Sequence, residues 1–158
     1  MKYRICDVED KHIAPIAELE KLCFSMPWTE DQLRAQLRDS MHEFLCALDE
    51  QGKVLGYVGM MYVLDEGYIS NVATSPECRR QGVADKLIET LISIGSEHKL
   101  SFITLEVRES NQPAILLYEK HGFSPVGKRK GYYSLPKEDA ILMTKFLNRG
   151  AQLEDTCI

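Results

Sequence analysis

Cys78-Arg79-Arg80-Gln81-Gly82-Val83-Ala84-Asp85-Lys86-Leu87 puts two arginines and a glycine directly before an apolar stripe. Val83, Ala84, Leu87, Ile88, Leu91, Ile94 and Gly95 recur at helical spacing, which predicts a helix from Gly82 to about His98. A helix start carries amides without intrahelical acceptors and the positive end of the dipole. Positive charge and bare backbone at that spot suit an anion such as a phosphate. The same residues also read as a solvated loop around a flexible glycine.

Working outward, Gly67 to Thr74 reads as a strand stopped by Pro76, and Phe102 to Arg108 as the next one. In the latter, Ile103, Leu105 and Val107 face one way and Thr104, Glu106 and Arg108 the other. A helix between two strands is the order that phosphate sites favour. Further upstream, Tyr3 to Cys6 is a short strand, and Ile13, Ile16, Ala17, Leu19, Leu22 and Cys23 make a first helix. In "PWTEDQL", Thr29 is an N-cap, Gln32 completes a capping box and Trp28 can staple onto Leu33, predicting a helix to about Asp39. "HEFLCALDEQGKVLGYVGMMYV" reads as two strands around a turn at Asp49 to Gly52. Pro113 and Gly122 bracket a short helix, and the segment from Phe123 to Leu147 reads as two strands around a loop at Gly131 to Lys137. The order β-α-α-β-β-β-α-β-α-β-β predicts one α/β domain over residues 1–148, with a polar tail at 149–158.

At 158 residues the chain is long enough for a hydrophobic core, and 44% hydrophobic with 27% charged residues argues against disorder. A net charge of −5 disfavours nucleic-acid binding over the whole surface and suits a cationic partner. Cys6, Cys23, Cys46, Cys78 and Cys157 are odd in number and lack CxxC spacing, so neither a zinc pattern nor a disulfide framework emerges, and a reducing cytosol is the simplest setting. Small buried hydrophobes is the role expected for most of them. "MKYRICDVED" lacks the apolar run of a signal peptide, and no stretch approaches the ~20 apolar residues of a membrane span. A soluble cytoplasmic protein without a membrane partner is the expectation.

Two nucleotide motifs fail on residues: no Gly-Lys-Ser/Thr follows Gly82, and G-x-G-x-x-G is missing. No Gly-x-Ser-x-Gly occurs, and His12, His42, His98 and His121 show neither nucleophile nor metal spacing, so no metal is expected. Arg79 to Ala84 instead resembles the R/Q-x-x-G-x-G/A signature of the GNAT acetyltransferases. "LEVRESN" (Leu105 to Asn111), "LYEKHGF" (Leu117 to Phe123), "YY…EDAILM" (Tyr132 to Met143) and the upstream "FSMPW" are similar to the RimI group of that family, which acetylates protein N-termini. Five motifs stand in register over nearly the whole chain.

The resemblance implies the GNAT fold, a mostly antiparallel mixed sheet of about seven strands flanked by about four helices. It implies acetyl-CoA as co-substrate, with Val72, Ala73 and Thr74 lending backbone groups to its pantetheine. The pyrophosphate would sit on the Arg79, Arg80, Gln81, Gly82, Val83, Ala84 and Asp85 segment, with Gly82 leaving room for close approach. From pattern alone, Glu106 is a glutamate on a polar strand face, paired with Arg108; by resemblance it is the general base. Tyr118 follows Ile115 on one helix face as a core tyrosine would, and by resemblance is the general acid for the leaving thiolate. Its reference pKa of about 10 exceeds that of a thiol at about 8.5, a mismatch of about 2 kcal/mol. Asn111 reads as a helix cap and, by resemblance, as a CoA ligand. Tyr132 and Tyr133 read either as packing at a sheet edge or as acceptor contacts. Gly131 stands where the RimI group usually has asparagine, and both residues tolerate a left-handed backbone.

Amine chemistry bears on the acceptor. An α-amine with pKa near 8 is about one-tenth neutral at pH 7, a handicap of ~1.4 kcal/mol, whereas a lysine at about 10.4 carries ~4.6 kcal/mol. A single glutamate suits the α-amine better. The resemblance implies the N-terminal alanine of a small-subunit ribosomal protein, hence a basic acceptor. A lysine or small-molecule amine acceptor remains open, as does an idle acetyl-CoA-binding module working by partner contact. Glu106 and Tyr118 favour the enzyme.

Overall fold

Local chemistry sets the elements, and α2 (Glu30–Arg38) shows it most plainly. The Gln32 amide donates to Thr29 Oγ1 (3.2 Å), and the Thr29 amide donates to Gln32 Oε1 (2.9 Å), closing the expected capping box. Glu30 and Asp31 in the first turn and Arg38 in the last complement the helix dipole. Trp28 packs, half-buried, against the core cluster that contains Leu33.

The structure, a computed structural model, describes residues 2–147; the 149–158 tail lies outside them. The remaining elements are β1 (Tyr3–Asp7), α1 (Ile13–Cys23), β2 (His42–Asp49), β3 (Val54–Val63), β4 (Glu66–Thr74), α3 (Val83–Glu97), β5 (Phe102–Arg108), α4 (Gln112–Lys120), β6 (Ser124–Ser134) and β7 (Lys137–Phe146). Their order is the predicted one, with short 3-10 turns added at Asp10–His12 and Pro76–Cys78. Seven strands form one mixed sheet in the order β1-β2-β3-β4-β5-β7-β6. Adjacent β1 and β2, β2 and β3, β5 and β7, and β6 and β7 run antiparallel, while β4 and β5 run parallel. Parallel neighbours need a crossover, and α3 supplies it.

The chain forms two compact units. Among the described residues, one comprises those up to Met61 together with Ile69–Leu91, and the other comprises Tyr62–Tyr68 and those from Ile92 to Leu147. In the first, Ile13, Ile16 and Leu33 are fully buried, and Phe44 stacks on Tyr57 with centroids 5.6 Å apart. In the second, Ile103, Leu105 and Val107 form the buried face of β5 while Thr104, Glu106 and Arg108 take the other, as the alternation predicts.

The last hairpin departs from expectation. The loop predicted at Gly131 to Lys137 shrinks to Leu135 and Pro136, because β6 continues to Ser134 past a register shift between Arg129 and Tyr133. Gly131 sits in that irregular stretch at φ +62, and its amide donates to Asp139 Oδ1 (2.8 Å). A left-handed residue lets the strand bend and resume rather than end.

The cap generates a stability prediction. Thr29→Ala removes the side-chain acceptor at the head of α2 and costs about 1 kcal/mol. Thermal unfolding then falls by about 2–4 °C; an unchanged midpoint would show that α2 is held by packing alone.

Candidate active site

After β4 the chain turns through Ser75, whose amide donates to the Leu55 carbonyl (2.8 Å), and through the Pro76–Cys78 turn. Arg80 then adopts φ +66 and Gly82 φ +81, two left-handed residues just before α3. The first backbone bond of α3 runs from Lys86 N–H to Gly82 O (3.0 Å), so the Val83 and Ala84 amides precede the helical ladder. Tyr3 Oη donates to the same Gly82 carbonyl (2.9 Å) and pins the turn from β1. Exposed Arg79 and Arg80 add positive charge. Donors, dipole and cations together make a set that fits a diphosphate.

Within the chain a Cβ at Gly82 meets only Tyr3 Oη at 3.7 Å, an ordinary contact, and the positive φ is what favours glycine there. Ala73 is buried at the end of β4, with Val72 and Thr74 half-buried. The Thr74 carbonyl accepts a weak bond from Cys23 Sγ (3.5 Å).

The second unit holds the acid–base candidates. The Glu106 side chain is only 6% exposed, yet it lines a cleft of about 370 Å³ with Tyr68, Thr104, Arg129 and Leu142. Tyr68 donates its phenol to Glu106 Oε2, and Arg129 Nε donates to Oε1 (3.0 Å). The expected partner, Arg108, is engaged elsewhere. It reaches Glu138 Oε1 (3.3 Å) and the Pro136 (2.9 Å) and Leu135 (3.1 Å) carbonyls, and its guanidinium lies 4.3 Å above the Tyr133 ring. Geometry explains the difference: Arg108 is two residues on along β5 and faces the β6–β7 turn. Arg129 reaches Glu106 across β7.

Tyr118 is buried on α4, edge-on to Phe123 with centroids 5.9 Å apart. Burial pushes its phenol up, so it stays protonated. Asn111 caps α4, its Oδ1 accepting from the Ala114 amide (3.3 Å). Tyr132 is 49% exposed and Tyr133 half-buried, the two rings perpendicular at 5.0 Å. Burial first, then Tyr132 and Glu106, push the Tyr133 phenol up to about 12.

Sequence reading missed Tyr68 and Arg129. Tyr68 was detectable by parity, since it pairs with Thr104 across the parallel β4–β5 ladder and so shares the face of Glu106. Arg129 needed the register of two further strands. Cysteine spacing also hid one juxtaposition: β1–β2 pairing sets Cys6 opposite Cys46, with sulfurs 3.7 Å apart and His12 close by. His12 Nδ1 accepts the Glu9 amide (2.9 Å), and burial keeps its ring neutral. Burial likewise pushes the Cys46 thiol up, as befits a small hydrophobe.

The profile of the acetyltransferase (GNAT) family matches residues 13–123, well over half of the chain. The chain belongs to the GNAT acetyltransferase family. It is 32% identical over 141 residues to the [ribosomal protein bS18]-alanine N-acetyltransferase of Escherichia coli K12, covering 88% of this chain and 94% of that one. A Bacillus subtilis protein provisionally given the same name is 35% identical, over 84% and 88% of the two chains. The crystal structure of the Escherichia coli ribosomal-protein-S18-alanine N-acetyltransferase superposes with a TM-score of 0.85 at 29% identity, covering 92% and 94%. Arabidopsis thaliana NAA60 in complex with acetyl-CoA shares the fold, with a TM-score of 0.85 at 18% identity over 93% and 99%.

The turn beside Tyr133 carries a pH signature. Ser110 hydrogen bonds, then Arg108, hold the Glu138 carboxyl below its usual range. The depressed folded value means that this carboxylate stabilises the protein above the unfolded pKa of about 4.3, and the contribution is lost as pH falls through the folded value. Glu138→Gln therefore lowers the melting temperature near neutrality, and its gap from wild type narrows below about pH 4. Melting curves from pH 3 to 7 test this; a gap constant across the range removes the assignment.

Proposed function

We propose that this protein transfers an acetyl group from acetyl-CoA to the N-terminal α-amine of a protein, the N-terminal alanine of a small-subunit ribosomal protein. The observation that carries the reading is the end-to-end match to bS18-alanine N-acetyltransferases, 94% of the Escherichia coli chain being covered. Residues 1–148 are read as one acetyltransferase domain, supported by a family match that runs unbroken from 13 to 123. The acceptor is a basic protein, in keeping with the net charge of −5. Among the described residues no helix is long and apolar enough to cross a membrane, and the reading places the enzyme in the cytoplasm.

Val72, Ala73 and Thr74 lend backbone groups to the pantetheine, and the Arg79–Asp85 segment holds the diphosphate. The left-handed Arg80 and Gly82 and the early α3 amides support that role. Asn111 contributes to the same cofactor while capping α4. When bound, acetyl-CoA supplies an activated thioester. Glu106 takes the proton of the acceptor amine, directly or through one water, and Tyr118 donates to the departing sulfur. Burial raises the Tyr118 phenol, so it serves as a strong hydrogen-bond donor to developing charge ahead of full proton release. Tyr132 and Tyr133, at the end of β6, contact the acceptor chain.

Cofactor binding is tested at Gly82. Acetyl-CoA raises the melting temperature of the wild type by mass action. Gly82→Val forces a β-branched side chain into the left-handed region, so the variant folds but loses that shift. A retained shift means that the turn does not hold the cofactor.

Glu106→Gln keeps shape but cannot accept a proton. At pH 7 its kcat/KM on an alanine-starting basic peptide falls ~10²–10⁴-fold with acetyl-CoA affinity unchanged. The deficit shrinks above about pH 8, where the α-amine arrives neutral. Wild-type rates across the range would remove Glu106 as base, and equal wild-type rates on the peptide and on free lysine would remove the N-terminal specificity.

A further inference from the structure

Glu106 is held by two donors of unequal character, and neither belongs to the residues assigned a catalytic part above. Tyr68 approaches from the neighbouring strand β4, half-buried, and donates to Oε2. Arg129 approaches from β6 with its side chain 55% exposed and donates to Oε1, against 6% exposure for the carboxylate itself. One oxygen is therefore fixed from the interior side of the cleft, and the other is covered by a cation on its open rim. Tyr132 completes the surroundings. Burial first, then the bond to Glu106 and the proximity of Tyr132, hold the Tyr68 phenol well above its ordinary range, so it remains a donor.

The geometry points to Tyr68 as the positioning residue of the base and to Arg129 as its resting counter-ion, which the cationic acceptor displaces. The inference rests on Glu106 being the base. An acceptor amine enters largely as an ammonium at pH 7. An ammonium can replace a guanidinium at Oε1 with no net change of charge in the cleft. Oε1 then accepts the proton as the N–H bond breaks, while the Tyr68 bond keeps Oε2 from rotating into its place. With Arg129 55% exposed the pair is open to water on its guanidinium side and can exchange in this way, whereas the half-buried Tyr68 phenol stays on Oε2. Glu66 also lines the cleft and is the remaining charged group there.

Two substitutions separate the roles. In Tyr68→Phe the ring stays and the donor goes. The variant keeps its melting temperature and its KM for acetyl-CoA, and kcat on the alanine-starting peptide falls about tenfold at pH 7. Because the defect lies in the base, it shrinks above about pH 8 in parallel with Glu106→Gln. A deficit constant with pH, or wild-type turnover, overturns the positioning role. In Arg129→Ala the competitor of the ammonium is gone, so KM for the peptide falls about two- to fivefold with kcat kept, while Arg129→Lys restores the wild-type KM. A raised KM overturns the counter-ion role, since Arg129 would then be binding the acceptor. Glu106→Gln is the internal reference. If that variant is crippled while Tyr68→Phe turns over normally, only this inference fails; if Glu106→Gln itself is unaffected, the base assignment fails with it.

Discussion

Parallel pairing of β4 with β5 is the constraint from which the functional elements follow. Antiparallel neighbours can be joined by a tight turn, but a strand returning in the same direction must be carried back by a crossover. Here that crossover is α3, and a crossover helix has its N-terminus just past the end of the strand that precedes it. The turn with left-handed Arg80 and Gly82, and the amides ahead of the α3 ladder, are thus a consequence of topology. The same pairing puts Tyr68 level with Thr104, one alternation from Glu106. A single choice of strand direction creates the left-handed turn ahead of α3 in one unit and the Tyr68–Glu106 bond in the other.

How much of this was legible follows from the range over which each signal acts. The α2 capping box spans four residues and was read directly, as was the alternation of β5. The extent of β6 was not, because a glycine with positive φ inside a strand looks the same in sequence as one ending it. Glu106 was recognisable as a candidate only through the family motif; of its companions, Tyr68 was within reach of strand parity and Arg129 was not. Arg108, two residues away, was the natural guess for its partner. The real partner comes from 23 residues on, through the β5–β7–β6 register, and no periodicity in the sequence carries that information.

Function was read from the same limits. Motif order pointed to a GNAT acetyltransferase, and the family match bears that out. The individual roles of Glu106, Tyr118 and Asn111 rest on chemistry that the fold permits, since a shared fold hosts many acceptors. Asn111 illustrates how one residue can hold two readings. Its Oδ1 accepts the Ala114 amide as the α4 cap, which fixes the side chain in place.

The two residues proposed as acid and base are set apart by environment. Glu106 is a carboxylate turned into a cleft with two donors on its oxygens, an arrangement built for an acceptor. Tyr118 is a phenol buried on α4, where burial opposes its ionisation. Under the proposed mechanism each environment suits the opposite half of the transfer: Glu106 would receive a proton from an amine and Tyr118 would keep its own until a thiolate needs stabilising. The phenol need not be a strong acid for this. A fixed donor in a dry site stabilises developing negative charge without being ionised, and the thiolate can take its final proton from solvent after release. Burial that makes Tyr118 a poorer acid therefore does not make it a poorer partner for the leaving group, and it prevents the tyrosinate that would repel it.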